Sequence, residues 1–147
     1  MDLALHYDPA AKVFDLLLDG GDLATDDGLV TAVVLSLFTD RRALPEDRLP
    51  DGATDRRGWW ADVYNPRPHG SRLWLLCREK ELDSVLRRAQ QYAEEALAWL
   101  VEDEIARAVE VEAIHLRRGV LQLLIGIVRG DGTVLQRQYE YVWQSAA

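Results

Sequence analysis

Glu102, Asp103 and Glu104 stand together in the chain, and paired carboxylates are the groups that hydrolyse glycosidic bonds. That chemistry needs two of them across a cleft, one held protonated by burial. Three adjacent acids where a helix ends instead read as a solvated terminus or as a contact for a partner's arginines. Glu102 and Asp103 are kept as partner-binding candidates on the second reading. A second acidic run, Asp15, Asp19, Asp22, Asp26 and Asp27, lacks the alternate-position acids, central glycine and closing glutamate of a calcium loop; a turn and a helix cap account for it. His6, His69 and His115 are far apart, without metal-ligand spacing. Cys77 is the single cysteine, which excludes an internal disulfide, and beside Leu75 and Leu76 it reads as a buried, inert thiol. Ser36 and Ser71 lack the Gly-x-Ser-x-Gly elbow, and no glycine-rich loop precedes a Lys-Ser/Thr pair. The sequence therefore offers no catalytic centre, no metal site and no cofactor site.

Recognition chemistry is concentrated elsewhere. Arg56-Arg57-Gly58-Trp59-Trp60 places two fork donors beside two indoles, and the tetrapeptide Thr-Asp-Arg-Arg occurs at 39–42 and again at 54–57, adding Arg41 and Arg42. Guanidinium groups bind carboxylates bidentately, and each indole buries roughly 150–250 Å² when covered. Two readings stay open: Trp59 and Trp60, with Tyr64, pin their own loop to the domain and supply the burial that orders it, or they face a partner. Arg41, Arg42, Arg56, Arg57, Trp59 and Trp60 are the candidate partner-binding residues of this segment.

The elements that must position these residues follow from periodicity. Residues 2–7 and 13–18 alternate as a hairpin around Asp8-Pro9. Leu29, Val30, Val33, Val34 and Leu37 recur at helical steps, giving helix one over about 26–38 with Thr25 or Asp26 as cap. Residues 39–70 hold four of the five prolines and keep no period; an irregular stretch that long inside a compact domain is typically functional. Ser71–Cys77 suits a short capped helix. A second helix over about 82–101 carries the stripe Leu82, Val85, Leu86, Ala89, Ala93, Ala96, Leu97 and Leu100, with an Asp83–Arg87 pair on its other face. Three antiparallel strands close the chain. The first carries a bulge where Val109 and Val111 give way to Ile114 and Leu116. The second, 120–128, is apolar enough for burial on both faces, and an Asp131-Gly132 turn leads into the third, with Tyr139, Tyr141 and Trp143 on one face. The fold class is α+β: antiparallel sheet, from the N-terminal hairpin and the C-terminal three-stranded meander, covered by two helices, with a long ordered loop, in one domain over 1–147.

Composition narrows the function classes. The chain has 17 basic and 25 acidic side chains and a net charge of −8, which argues against nucleic-acid binding driven by phosphate neutralisation. No apolar run reaches the length of a membrane span, and the N-terminal Met1–Ala10 has neither the basic region nor the apolar core of a secretory signal. A soluble protein of a reducing compartment is expected, monomeric or weakly self-associating, with neither nucleic acid, membrane nor small-molecule substrate as partner.

The order Ser36-Leu37-Phe38-Thr39-Asp40-Arg41-Arg42-Ala43, Asp55-Arg56-Arg57-Gly58-Trp59-Trp60, Gly70-Ser71-Arg72-Leu73-Trp74-Leu75-Leu76 and Tyr92-Ala93-Glu94-Glu95-Ala96-Leu97 resembles the small baseplate protein of Mu-like contractile-tail phages, a family related to the small, lysozyme-named wedge subunit of T-even phages. The resemblance covers nearly the whole chain. It implies a structural part of a baseplate wedge in the virion tail, assembled in the host cytoplasm, with other wedge proteins and tail sheath subunits as partners and sheet edges offered by strand exchange. The Glu-Pro-Arg motif that the wider family carries after the second helix is replaced here by Glu102-Asp103-Glu104-Ile105. The runner-up function is a tail-associated peptidoglycan hydrolase.

Overall fold

A computed structural model describes residues 2–16, 18–20, 22–23, 25–26, 28–80 and 83–142. Leu17, Asp27, Leu82 and Trp143, all used in the sequence reading, lie outside the described residues.

The N-terminal part forms three two-stranded pieces. Strands β1 (Asp2–Leu3), β2 (Leu5–Asp8), β3 (Val13–Leu16), β4 (Leu18–Asp19), β5 (Asp22–Leu23) and β6 (Thr25–Asp26) pair as β1 with β6, β2 with β3 and β4 with β5, all antiparallel. The β2–β3 hairpin turns where expected: the Asp8 carboxylate accepts the N–H groups of Ala10 and Ala11 at 2.9 and 3.1 Å, holding the Pro9 turn. The helix that follows starts later than its periodicity suggests. Residues 25–26 are paired with β1, so their backbone is already satisfied. The left-handed Gly28 (φ 88°) then turns the chain into α1 (Leu29–Phe38) without a side-chain cap. Val33, Val34, Ser36 and Leu37 are its buried residues.

After the 39–70 segment, a short 3₁₀ helix, Leu73–Leu76, is buried at every position. Helix α2 (Asp83–Glu102) then lies along the C-terminal sheet, with Val85, Ala89, Tyr92, Ala93, Ala96, Leu97 and Leu100 inward. The alanines of this stripe permit close approach to the strands. The expected Asp83–Arg87 pair does not form; Arg88, one residue on, reaches Glu79 at 3.1 Å instead. The helix ends on a left-handed Glu104 (φ 60°), and the Ile105 N–H closes back on the Leu100 carbonyl at 2.9 Å.

Strands β7 (Ala106–Arg117), β8 (Val120–Arg129) and β9 (Val134–Val142) form an antiparallel sheet in that order. The architecture is α+β as expected, with the N-terminal hairpins as separate small sheets. Two details of β7 and β8 differ from the sequence reading. The register runs unbroken from Ala108 to His115 and shifts only near each end of β7, so no bulge sits between Val111 and Ile114. Ala113 continues the core-facing phase and Ile114 points to the opposite face. Beyond the buried Val120 at its start, strand β8 is buried on one face only: Leu121, Leu123, Ile125 and Ile127 enter the core, while Gln122, Leu124, Gly126 and Val128 are half-buried on the other. The turn into β9 is as expected, with Gly132 at φ 87° and the Asp131 carboxylate accepting the Thr133 N–H at 2.9 Å. Tyr141 is buried and Tyr139 half-buried. Leu37, Leu73, Leu76, Leu97, Leu100, Leu121 and Leu123 knit α1, the 3₁₀ helix, α2 and the sheet into one core.

Candidate functional site

The 39–70 segment is tied at its two ends. The Arg41 N–H donates to the Ser71 carbonyl at 2.9 Å, and the Ser71 N–H to the Thr39 carbonyl at 2.8 Å. Gly70 makes this closure fit, since a Cβ there would lie 2.3 Å from the Thr39 carbonyl oxygen. Inside the loop the two Thr-Asp-Arg-Arg tetrapeptides lie side by side. The Ala43 N–H donates to the Arg56 carbonyl at 2.9 Å, Arg42 to the Arg57 carbonyl at 3.3 Å, and Arg57 to the Asp40 carboxylate at 2.7 Å.

The arginines of this region mostly work inside the chain. Arg41 donates to the Gly70 carbonyl and to Glu95 on α2 (2.8 Å), and Arg56 to the Leu44 and Pro45 carbonyls. The Arg57 guanidinium lies 4.4 Å above the ring of buried Trp74, whose indole N–H donates to the Arg41 carbonyl at 2.8 Å. Arg72 forks between both Asp47 oxygens (3.0 Å) and Glu95 (2.9 Å) while stacking on Tyr92 at 4.5 Å. Loop residue Arg67 clasps Glu102 at 2.9 Å and Asp103 at 2.9 and 2.7 Å. That bond holds the Asp103 carboxyl below its ordinary range and the Arg67 guanidinium above its own. These acids therefore meet an internal arginine, where the sequence left them to solvent or a partner.

The indoles do the reverse of what loop anchoring requires. Trp59 is 41% and Trp60 77% exposed, and on the same 3₁₀ turn, Trp60–Tyr64, Val63 and Tyr64 are 81% and 80% exposed. Trp59 packs on Trp60 (5.9 Å between rings) and on His69 (5.3 Å). Burial pushes the His69 imidazole below its usual pKa. Of the two readings left open, exposure favours the outward one for Trp60, while Trp59 is partly covered; arginine forks, the Trp74 bond and buried Ala43 and Ala61 hold the rest of the loop. Apolar side chains can face water here because the backbone beneath them is held by polar bonds.

Behind the ridge lies a cleft of about 570 Å³ between α1, α2 and residues 65–70, with Leu35, Ala96 and Trp99 among its walls and Arg67, Glu102 and Asp103 at its rim. Cys77 is half-buried rather than fully buried, with its thiol pKa raised by desolvation. Among the described residues no group of His, Cys, Asp or Glu is arranged to hold a metal ion, and no helix is long and apolar enough to cross a membrane.

Residues 29–134 match the family model described as Phage protein GP46. The chain belongs to the phage protein GP46 family. The matched span runs from α1 into β9, so it contains the loop, the cleft and most of the sheet, and leaves the N-terminal strands outside. The baseplate protein gp46 of Escherichia phage Mu is 52% identical over 126 residues, covering 86% of this chain and 87% of its own. The Mu-like prophage FluMu protein gp46 of Haemophilus influenzae is 42% identical over 143 residues, covering 97% of both chains. The resemblance to Mu-like baseplate proteins therefore holds along the chain.

The scaffold of this loop uses residues that spacing alone does not single out. Asp47, Arg72 and Glu95 build the central ion network, and Trp74 rather than Trp59 carries the loop. Arg67 had a weak signal, since it sits between Pro66 and Pro68 and the proline after it disfavours helical backbone there.

Proposed function

We propose that the chain is a structural component of a contractile tail baseplate, joining the wedge through protein–protein contacts at the ridge Trp59, Trp60, Val63 and Tyr64. The observation that carries this reading is the outward pose of four large apolar side chains on and beside one 3₁₀ turn, held by its own backbone bonds and by the His69 N–H donating to the Asp62 carboxylate, with Arg57 and Arg67 ion-paired on either side of it. Exposed aromatic side chains on a preordered backbone are what protein interfaces concentrate their energy on, because little entropy remains to be lost on docking. Arg42 (exposed) and the outer parts of Arg56 and Arg57 border the ridge and suit acidic groups of a neighbouring wedge protein. Strands β7 and β9 are the edges of their sheet among the described residues, and strand addition there is the proposed route to tail sheath subunits. The isolated chain is a monomer or associates weakly, its charge of −8 opposing self-contact.

The hydrolase reading is not favoured by the cleft, whose acids are engaged by arginines. Its rim acids Glu102 and Asp103 share one guanidinium, and Glu95 is bonded by two arginines; Arg67 holds the Asp103 carboxyl below its ordinary range, whereas general acid catalysis needs a neutral carboxyl. The test of the assembly reading is Trp60→Ala with Tyr64→Ala in a tail-producing strain. The double variant is expected to keep its melting temperature and to disappear from purified tails. Normal incorporation overturns the reading, as does cell-wall turnover by pure protein.

A further inference from the structure

We propose that the outer face of the β7–β8–β9 sheet receives a basic side chain of a partner protein, laid across Gly126 with its charge between Glu110 and Glu112. This surface is separate from the aromatic ridge and rests on the assembly reading only for the partner's being a tail component. The register sets Glu110 opposite Gly126 and Gly126 opposite Gln136; one step along, Glu112, Leu124 and Gln138 align. These residues point away from α2, since Val111, Ile125 and Leu123 of the alternate phase are in the core. Together they line a groove of about 460 Å³.

Gly126 is the informative residue. Glycine in a strand interior forfeits backbone entropy and packs nothing, so it marks a bulge, a bend or a close approach. The register is continuous through 126, which removes the first two. Its φ is not in the left-handed region that glycine alone adopts freely. A Cβ built there would meet the Glu110 Cβ at 3.9 Å and its Oε2 at 4.0 Å, ordinary contacts. Nothing within the described chain clashes with a Cβ there, and the notch lies directly beside the Glu110 carboxylate, so a group seated on Gly126 would sit against that charge.

The walls define that visitor. Glu110 and Glu112 are i, i+2 neighbours on one face, roughly 7 Å apart along the strand, and neither is ion-paired among the described residues. Arg137, which also borders the groove, is turned to the Gln136 carbonyl at 3.0 Å. Leu124 offers an apolar wall, and the Gln136 and Gln138 amides both donate and accept. A long aliphatic stem ending in a guanidinium matches this sequence of surfaces, with the stem on Leu124 and Gly126 and the fork on the carboxylates. A second copy of this chain is a poor occupant, because pairing these faces would bring acids onto acids.

The experiment pairs stability with assembly. In Gly126→Val, the melting temperature is expected at or above wild type, because valine suits a strand, while incorporation into tails falls by roughly tenfold or more. Glu110→Gln with Glu112→Gln is expected to fold normally and to show the same loss. A Gly126→Val protein that melts well below wild type would mean that the fold needs the glycine, and the proposal fails. Wild-type incorporation of Gly126→Val, or of the double glutamine variant, also overturns it, as does a sedimenting dimer that Gly126→Val converts to monomer. The Trp60→Ala, Tyr64→Ala variant separates the two surfaces. If it is excluded from tails while Gly126→Val enters them, the ridge stands and the sheet face falls; the converse leaves the sheet face standing alone.

Discussion

Trp60 and Trp74 are two indoles in one region with opposite exposure, and truncating each should cost stabilities that differ by several kcal/mol. A fully covered indole buries roughly 200 Å². Trp60 is 77% exposed and Trp74 5% exposed. Truncation of Trp60 therefore removes roughly 50 Å² of burial, worth ~1 kcal/mol at most at ~25 cal/mol/Å², and less once residual compaction of the unfolded chain is counted. Truncation of Trp74 removes nearly the whole ring, worth ~5 kcal/mol. It also leaves the Arg41 carbonyl without its donor and the Arg57 guanidinium without the ring beneath it. With partial collapse of the cavity, the expected loss for Trp74→Ala is ~3–5 kcal/mol, against a total stability of about 5–15 kcal/mol for a domain. Because that leaves little margin, Trp74→Phe is the companion: it keeps an aromatic ring, loses the N–H, and should cost ~1–2 kcal/mol. Urea unfolding followed by far-ultraviolet circular dichroism measures all three. A Trp60→Ala loss equal to that of Trp74→Ala would refute the assignment, as would Trp74→Ala within ~1 kcal/mol of wild type.

Arg72→Ala should cost roughly 2–4 kcal/mol in the same assay, because it leaves Asp47 and the covered side of Glu95 without their cation, and Arg72→Lys should recover only part, since an ammonium cannot fork between them. Burial raises the pKa of the Tyr141 and Tyr7 phenols, so the native state keeps protons that the unfolded state releases above roughly pH 10. Their contribution is fully present below that pH and declines above it; Tyr141→Phe should give a shallower fall of melting temperature between pH 9 and 11.5 than wild type. Asp103 should titrate below an ordinary aspartate in a carboxyl NMR titration, and Arg67→Ala should return it to the ordinary range.

The regular elements were legible from sequence because each carries its own periodicity. The α2 stripe and the three C-terminal strands appear where the apolar spacing puts them. The errors fall where a distant partner decides. Thr25 and Asp26 have good capping side chains, yet pairing with β1 takes them into a strand and leaves the helix to start behind Gly28. Ile114 mimics a phase shift, yet Ala113 holds the core position opposite Leu123, and towards this end of the strand the register shifts only between His115 and Arg117, at Leu116. The Asp47–Arg72–Glu95 network joins three separated stretches, and no local spacing announces such a join.

The loop shows why composition misleads about anchoring. Two adjacent tryptophans look like the apolar mass that must offset the ordering entropy of a long irregular segment, roughly 1–2 kcal/mol for each backbone residue fixed. The offset comes instead from many backbone acceptors and carboxylates that arginine forks satisfy: Arg41 on Gly70 and Glu95, Arg56 on Leu44 and Pro45, Arg57 on Asp40, Arg67 on Glu102 and Asp103. Charge-assisted bonds are directional, so they fix a shape without placing the loop's large apolar groups inside it. The arginines that the sequence offers for a partner are therefore largely the scaffold, and of the two readings left open for the indoles, exposure favours the outward one. If this assignment is right, Arg56→Ala and Trp60→Ala must fail differently. Loss of Arg56 should loosen the loop and speed amide exchange across 42–58, with assembly falling as a consequence. Loss of Trp60 should leave amide exchange across 42–58 unchanged and abolish the contact alone.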